Sequence, residues 1–266
     1  MKIRNLLIAG ALTAALTLPA SALTLNVDGR NRTTEAKATL INGTTYVSLR
    51  SVATMLDSDA LVEWKGGAAT VSTYDLNLSA RPGDLYIQAN GRCIYAKDGV
   101  RLVNGVTMVP IRVLAEAMGG SVGWDNATKT AKLTTGSGVP TPANYNQEDL
   151  YWLSRIISAE SRGEPLLGKI AVGTVILNRV ASSEFPNTIK GVIFDQRWGG
   201  QFEPVRNGTV YNAPTEESVI AAKLCLEGAR AAGKSLYFLA PSLTQNHWIM
   251  ENRTYVTTIG CHWFYL

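Results

Sequence analysis

The stretch LINGTTYVSLRSVATML, residues 40–56, returns as LVNGVTMVPIRVLAEAM at residues 102–118, a spacing of 62. Asn-Gly at 42–43 and at 104–105 favours a tight hairpin turn in each copy. The alternation around Tyr46-Val47-Ser48-Leu49 predicts a strand. An amphipathic helix follows, with Leu114, Ala117 and Met118 on it in the second copy, and Gly119-Gly120 stops it. Each copy then runs to a tryptophan, Trp64 in LVEW and Trp124 in SVGW, and closes on a Thr/Val-rich segment, AATVST or KTAKLTT. The repeat therefore predicts two small α+β units that bury their faces against each other.

This pattern, NG…VP-R…A…G…W, resembles the copper amine oxidase N-terminal-like ("stalk") domain of secreted bacterial proteins, over about residues 23–135. The family name does not imply copper. No histidine occurs in this region, and Cys93 and Met108 alone make no copper site. The resemblance implies envelope attachment or spacing, and leaves open a spacer without ligand or a carbohydrate- or wall-binding module.

The N-terminus reads as a targeting segment. Lys2 and Arg4 precede an uncharged, mostly apolar run from Asn5 to Pro19, and Ala20-Ser21-Ala22 fits a cleavage site. A signal peptide over residues 1–22 is expected, hence an exported protein at the cell wall or spore envelope, with no membrane association after cleavage. The formal charge of +4 includes Lys2 and Arg4, so the mature chain is weakly basic and lacks the clustered basic face of a nucleic-acid binder. Three cysteines, Cys93, Cys225 and Cys261, are no disulfide framework. Cys225 and Cys261 could pair, or serve as small buried apolar residues. Two histidines, without CxxC or HExxH, predict neither a metal site nor any other cofactor. Residues 134–149, TTGSGVPTPANYNQED, read as a linker centred on 136–146. Oligomeric state is not legible.

Residues 147–266 read as a second, mostly helical domain. Helices are expected from about Gln147 to Arg162, over LLGKIAVGTVILNRVAS with its small residues inviting close helix approach, after Pro186, and over APTEESVIAAKLCLEGARAAG with Val219, Ala222, Leu226 and Ala229 buried. SLYFLAP, NHWIM and TYVTTIGCHWFYL read as extended. In the first helix Leu153, Ile156, Ile157 and Glu160 fall at i, i+3, i+4 and i+7, one face. A carboxyl on that stripe, where Gly163 breaks the helix, loses hydration, and its pKa rises. Such a glutamic acid can protonate a glycosidic oxygen. Glu164, beyond the break, is expected to be solvated and to support or N-cap. Asp195 is the best candidate for a second carboxylate, but it reads far more readily as a surface loop residue.

The blocks ISAESRGEP, GKIAVGTVILNRV, FPNTIKGVIF, QFEPVRNG, SLYFLAP and TTIGCHWF stand in one order, similar to the cell-wall hydrolases related to the spore-cortex-lytic enzyme SleB. The resemblance spans residues 150–265. It implies a lysozyme-like fold, peptidoglycan as substrate and partner, and a catalytic glutamate in A-E-x-x-G-E, which lands on Glu160. It also implies lytic transglycosylase chemistry, in which one glutamate is acid and then base. Gln201, Phe202, Tyr237 and Asn178 are the candidate substrate-binding residues. Each has a packing alternative, and Phe238, Trp248 and His262 are expected in the core. The rival readings are an N-acetylmuramoyl-L-alanine amidase, which the two late histidines disfavour, and a non-catalytic peptidoglycan-binding wall protein.

Overall fold

The structure, a computed structural model, describes residues 23–136, 145–244 and 247–266. The expected signal peptide at 1–22, and positions 137–144 of the expected linker, lie outside these residues. The chain starts with β1 (Thr24–Val27) and β2 (Arg30–Asn31). The first repeat copy gives β3 (Thr39–Ile41), β4 (Thr44–Ser48), α1 (Leu49–Leu56), β5 (Leu61–Lys65) and β6 (Ala68–Ser72). Then come β7 (Asn77–Ala80), β8 (Tyr86–Ala89) and β9 (Arg92–Tyr95). The second copy gives β10 (Arg101–Val103), β11 (Val106–Pro110), α2 (Ile111–Ala117), β12 (Ser121–Asp125) and β13 (Thr130–Thr134).

Both expected turns form. Asn42 and Asn104 have φ of 50° and 49°, and Gly43 and Gly105 have 82° and 75°, the paired positive values of a type I′ hairpin. Ser48 caps α1 by accepting a hydrogen bond from the Ser51 N–H. The two copies do more than pack: β4 and β11 pair antiparallel and fuse the two hairpins into one sheet, β10-β11-β4-β3. Val47 stands opposite Val109, its own counterpart 62 residues on, so the copies are related by a local twofold through that pair. The second hairpins diverge into different sheets, β5-β6-β7-β8-β9 and β12-β13-β1-β2, the latter closed by a parallel β1–β13 pairing. Their inner faces and the two helices bury Leu49, Val52, Ile111 and Leu114 in one core.

The remainder contains α3 (Gln147–Ser161), α4 (Leu166–Val180), α5 (Ile189–Ile193), α6 (Glu203–Arg206) and α7 (Glu216–Leu226), followed by β14 (Tyr237–Leu239), α8 (Trp248–Asn252), β15 (Tyr255–Ile259) and β16 (His262–Tyr265). The three strands form a sheet ordered β14-β16-β15. NHWIM, expected to be extended, instead holds the short helix α8. Asn146 caps α3 through the N–H groups of Glu148 and Asp149, whose carboxylates suit the positive end of the helix. Helix α4 is buried nearly all round, Gly168 to Ile176 without a break. A Cβ on Gly173 would come within 2.6 Å of Cys225 Sγ and 2.9 Å of Ile157 Cδ1, so α3 and α7 approach over a bare backbone, as the small residues predict. Helix α7 departs from expectation. Ala222 and Ala229 are buried, but Val219 and Leu226 are only partly so, and Ser218, Ala221, Leu224 and Cys225 take the inner face. Cys225 is buried, Cys261 is exposed and neither is bonded.

Strand β9 joins the two halves. The Arg92 guanidinium meets the Glu227 carboxylate in a two-pronged pair, Nε to Oε1 at 3.0 Å and the terminal nitrogen to Oε2 at 2.7 Å. The Tyr145 hydroxyl donates to Glu227 Oε1 at 3.0 Å. Burial pushes Glu227 up, but its bonds from Arg92 and Tyr145 outweigh this and hold it below the usual range. Cys93, Tyr86 and Tyr95 pack into the apolar cluster of α3, α4 and α7, and burial pushes the Cys93 thiol up to about 11. Arg92→Ala strips a partly buried carboxylate of its cation and is expected to cost about 1–3 kcal/mol. Scanning calorimetry should show one transition in the parent and two in the variant.

Candidate active site

Leu153, Ile156 and Ile157 are fully buried, and Glu160 continues their stripe at the last turn of α3. Burial raises the Glu160 carboxyl from 4.5 to about 7. The Arg179 guanidinium opposes the rise and the Glu203 carboxylate adds to it. The group is therefore a weak acid that holds its proton close to neutrality, with one cation and one anion within electrostatic range.

Arg179, which helical periodicity does not single out, organises the surroundings. It lies near the C-terminal end of α4 and is 5% exposed. Its Nε donates to the Leu236 carbonyl at 2.7 Å, and a terminal nitrogen reaches Gln201 Oε1 at 3.3 Å. The guanidinium lies 4.8, 5.3 and 5.5 Å from the ring centres of Phe185, Phe202 and Tyr237, contacts that a delocalised cation makes well. Burial lowers its pKa to about 10, while Tyr237, Asp195 and Glu160 act the other way.

Three of the four candidate substrate-binding residues thus meet at Arg179, with different parts to play. Gln201 is partly exposed and hydrogen-bonded to Arg179. Tyr237 is partly exposed, and its hydroxyl accepts from Arg253 at 3.0 Å. Phe202 is 4% exposed, so it supports Arg179 from behind instead of offering a ring to a ligand. Asn178 takes its packing alternative. Its amide donates to the carbonyls of Gly233 and Ser235, both at 2.9 Å, which ties α4 to the loop before β14. Asp195 is 8% exposed, not a surface loop residue. Both of its oxygens are engaged by Arg197, whose hydrogen bonds hold the carboxyl below the usual range. Phe238 and His262 pack in the core as expected, with ring centres 5.4 Å apart, whereas Trp248 is 49% exposed.

Glu164 is not solvated. Its side chain is 9% exposed. Oε2 accepts the Cys261 N–H at 3.0 Å and Oε1 lies 3.8 Å from His262 Nδ1. Burial lowers the His262 pKa, and Glu164 partly offsets the effect. The buried Lys169 ammonium holds the same turn, through the carbonyls of Arg162 and Glu164 and a 2.7 Å pair with Glu217. The turn after Glu160 is thus pinned to the β15–β16 hairpin. Gly260 makes this possible: at φ 60° its Cβ would fall 1.6 Å from Glu164 Oε2. Gly260→Ala is expected to cost about 2–4 kcal/mol through left-handed strain and displacement of the carboxylate, measurable as a fall in thermal midpoint.

Among the described residues no three His, Cys, Asp or Glu side chains are grouped to hold a metal ion. A cavity of about 660 Å³ lies in the repeat half, between Arg30, Met55, Asp57, Asp75 and Met118. Another of about 290 Å³ lies between the halves, beside Tyr86, Pro165 and Glu217. Glu160 lines neither.

Two family models match this chain: Copper amine oxidase N-terminal domain over residues 26–133, and Cell Wall Hydrolase over residues 163–265. The Cell wall hydrolase CwlJ of Oceanobacillus iheyensis is 31% identical over 103 residues, which are 36% of this chain and 72% of that protein. The chain belongs to the cell wall hydrolase family. A spore cortex-lytic enzyme of Bacillus cereus is 39% identical over 127 residues, 48% of this chain and 48% of that protein, and one from O. iheyensis is 35% identical over 126 residues, 47% and 44%. The chain spans about half the length of these spore cortex-lytic enzymes. Among solved structures it is similar to the catalytic domain of the germination-specific lytic transglycosylase SleB from Bacillus anthracis, at 39% identity and a TM-score of 0.43, over 47% of this chain and all of that one. The hydrolase match begins just after Glu160.

Proposed function

We propose that this chain cleaves peptidoglycan glycan strands, with residues 147–266 as a lysozyme-like catalytic domain and residues 23–135 as a repeat domain that accompanies it. On this reading residues 1–22 direct export to the cell wall or spore envelope. The observation that carries the reading is the carboxyl of Glu160, which burial keeps protonated near neutral pH. Membership of the cell wall hydrolase family and the name of the B. anthracis neighbour, a lytic transglycosylase, support it.

The chemistry follows from a single acid. Glu160 gives its proton to the glycosidic oxygen as the C1–O bond breaks, through an oxocarbenium-like state. The C6 hydroxyl of the same muramoyl residue attacks C1, and the Glu160 carboxylate takes the hydroxyl proton. The product is a 1,6-anhydro sugar, no water is consumed, and the acid is regenerated. A water-activating second carboxylate is not needed, and Asp195 is committed to Arg197. Arg179 anchors Gln201, whose amide suits an N-acetyl group. The test is digestion of purified spore cortex and vegetative peptidoglycan with the full chain, followed by product masses. Anhydro-muramoyl ends are expected. Reducing ends would replace the transglycosylase step by hydrolysis, and an unchanged polymer would end the reading.

A further inference from the structure

Beyond Arg179 the wall of polar and aromatic groups continues outward. Arg253 follows α8, and its guanidinium lies 4.5 Å from the Tyr237 ring centre and 5.2 Å from that of Trp248. Tyr237 therefore stands between two cations, Arg253 and the Arg179 that acts electrostatically on Glu160. The two differ in what they bind. Arg179 is spent on the Leu236 carbonyl and on Gln201. Among the described residues Arg253 makes one side-chain hydrogen bond, to the Tyr237 hydroxyl. Among the described residues it has no carboxylate within ion-pairing distance, and its buried Nε has no acceptor. A guanidinium has five N–H donors, and unmet buried donors carry a cost of about 1–3 kcal/mol. Next to it, about half of the Trp248 indole remains open to solvent.

We propose that Trp248, Arg253 and Tyr237 form a subsite for a muramoyl residue of the glycan. The inference rests on the glycan-cleavage reading above. The indole offers a face to the sugar ring, and the guanidinium donates to the carbonyl oxygen of the lactyl group, which the polymer carries as an amide. Of the two alternating sugars, only the muramoyl residue carries that group. A chitin oligomer has the same ring and N-acetyl groups without it, so Arg253 provides discrimination and Trp248 general affinity.

The test is calorimetric binding to the full-length Glu160→Gln protein, which removes turnover. The probes are a GlcNAc–MurNAc tetrasaccharide with its lactyl groups as carboxamides, and chitotetraose. The muramoyl oligomer is expected to bind at least about tenfold tighter, as one charge-assisted bond permits. Adding Arg253→Gln should abolish that preference and leave chitotetraose binding within about threefold. Arg253→Lys should keep part of the preference, and Trp248→Ala should weaken both ligands alike. If Arg253→Gln does not fold, Tyr237→Phe, which frees the guanidinium from its tether, should reduce the preference instead. Equal affinities in the parent, or a preference that survives Arg253→Gln, overturn the subsite and leave the cleavage reading intact. Failure of both probes to bind overturns the two together.

Discussion

Glu160→Gln is expected to leave the protein without glycan-cleaving activity and, at pH 8, more stable than its parent. The loss of activity follows from removing the proton donor, and general acid–base groups contribute on the order of 10²–10⁴ in rate. The gain in stability follows from the same burial. The folded-state pKa of about 7 stands above the ordinary 4.5. The neutral form therefore contributes stability that is complete below pH 4.5 and is lost as pH rises through 7. A rise of that size corresponds to about 3 kcal/mol. Glutamine keeps the shape and never ionises. Thermal melts of the two proteins should coincide near pH 4 and separate progressively towards pH 8. Parallel melting curves across that range would mean that the carboxyl is well hydrated, and the acid assignment would fall with it. In the parent, activity should decline above about pH 7 as the proton is lost.

Arg179→Met should reduce activity at least tenfold and move the basic limb of the pH profile upward. Arg179 lowers the Glu160 pKa, so its removal makes the acid weaker and keeps it protonated to higher pH. The loss of rate has another origin: Gln201 loses a donor and the Leu236 carbonyl loses its partner. Unmet buried groups of this kind cost about 1–3 kcal/mol each. Arg179→Lys separates the two effects. It keeps the charge, so the pH profile should stay in place, but it cannot serve both partners and three rings together, so the rate should still fall. A profile that does not move in the methionine variant would show that the two groups are not coupled.

The position of Glu160 was legible because it obeys helical periodicity: a stripe of three apolar residues points to where the fourth side chain goes. The turns at Asn42 and Asn104 were legible for a similar local reason. Arg179, Lys169 and the burial of Glu164 were not. Hydropathy assigns charged side chains to water, whereas α4 is buried on nearly every side and takes the charges near its ends in with it. A signal was nonetheless present. A helix apolar all round from Ile170 to Leu177 must be enclosed, and the charges at its ends then need carbonyl or carboxylate partners. Those partners come from distant segments, the turn at 162–164 and the loop before Tyr237, so periodicity says nothing of them. At Asn178 the sequence leaves ligand contact and helix packing both open, and the backbone carbonyls of Gly233 and Ser235 claim the amide.

The register at Val47 and Val109 has a consequence for how this chain can be shortened. A protein cut down to one repeat copy would present Tyr46, Val47 and Ser48 as an open ladder, with backbone groups matched to a strand of its own kind. Such a fragment would recruit a second chain to complete itself. The natural arrangement is in effect a dimer written into one polypeptide, and the covalent tether removes any dependence of its assembly on protein concentration.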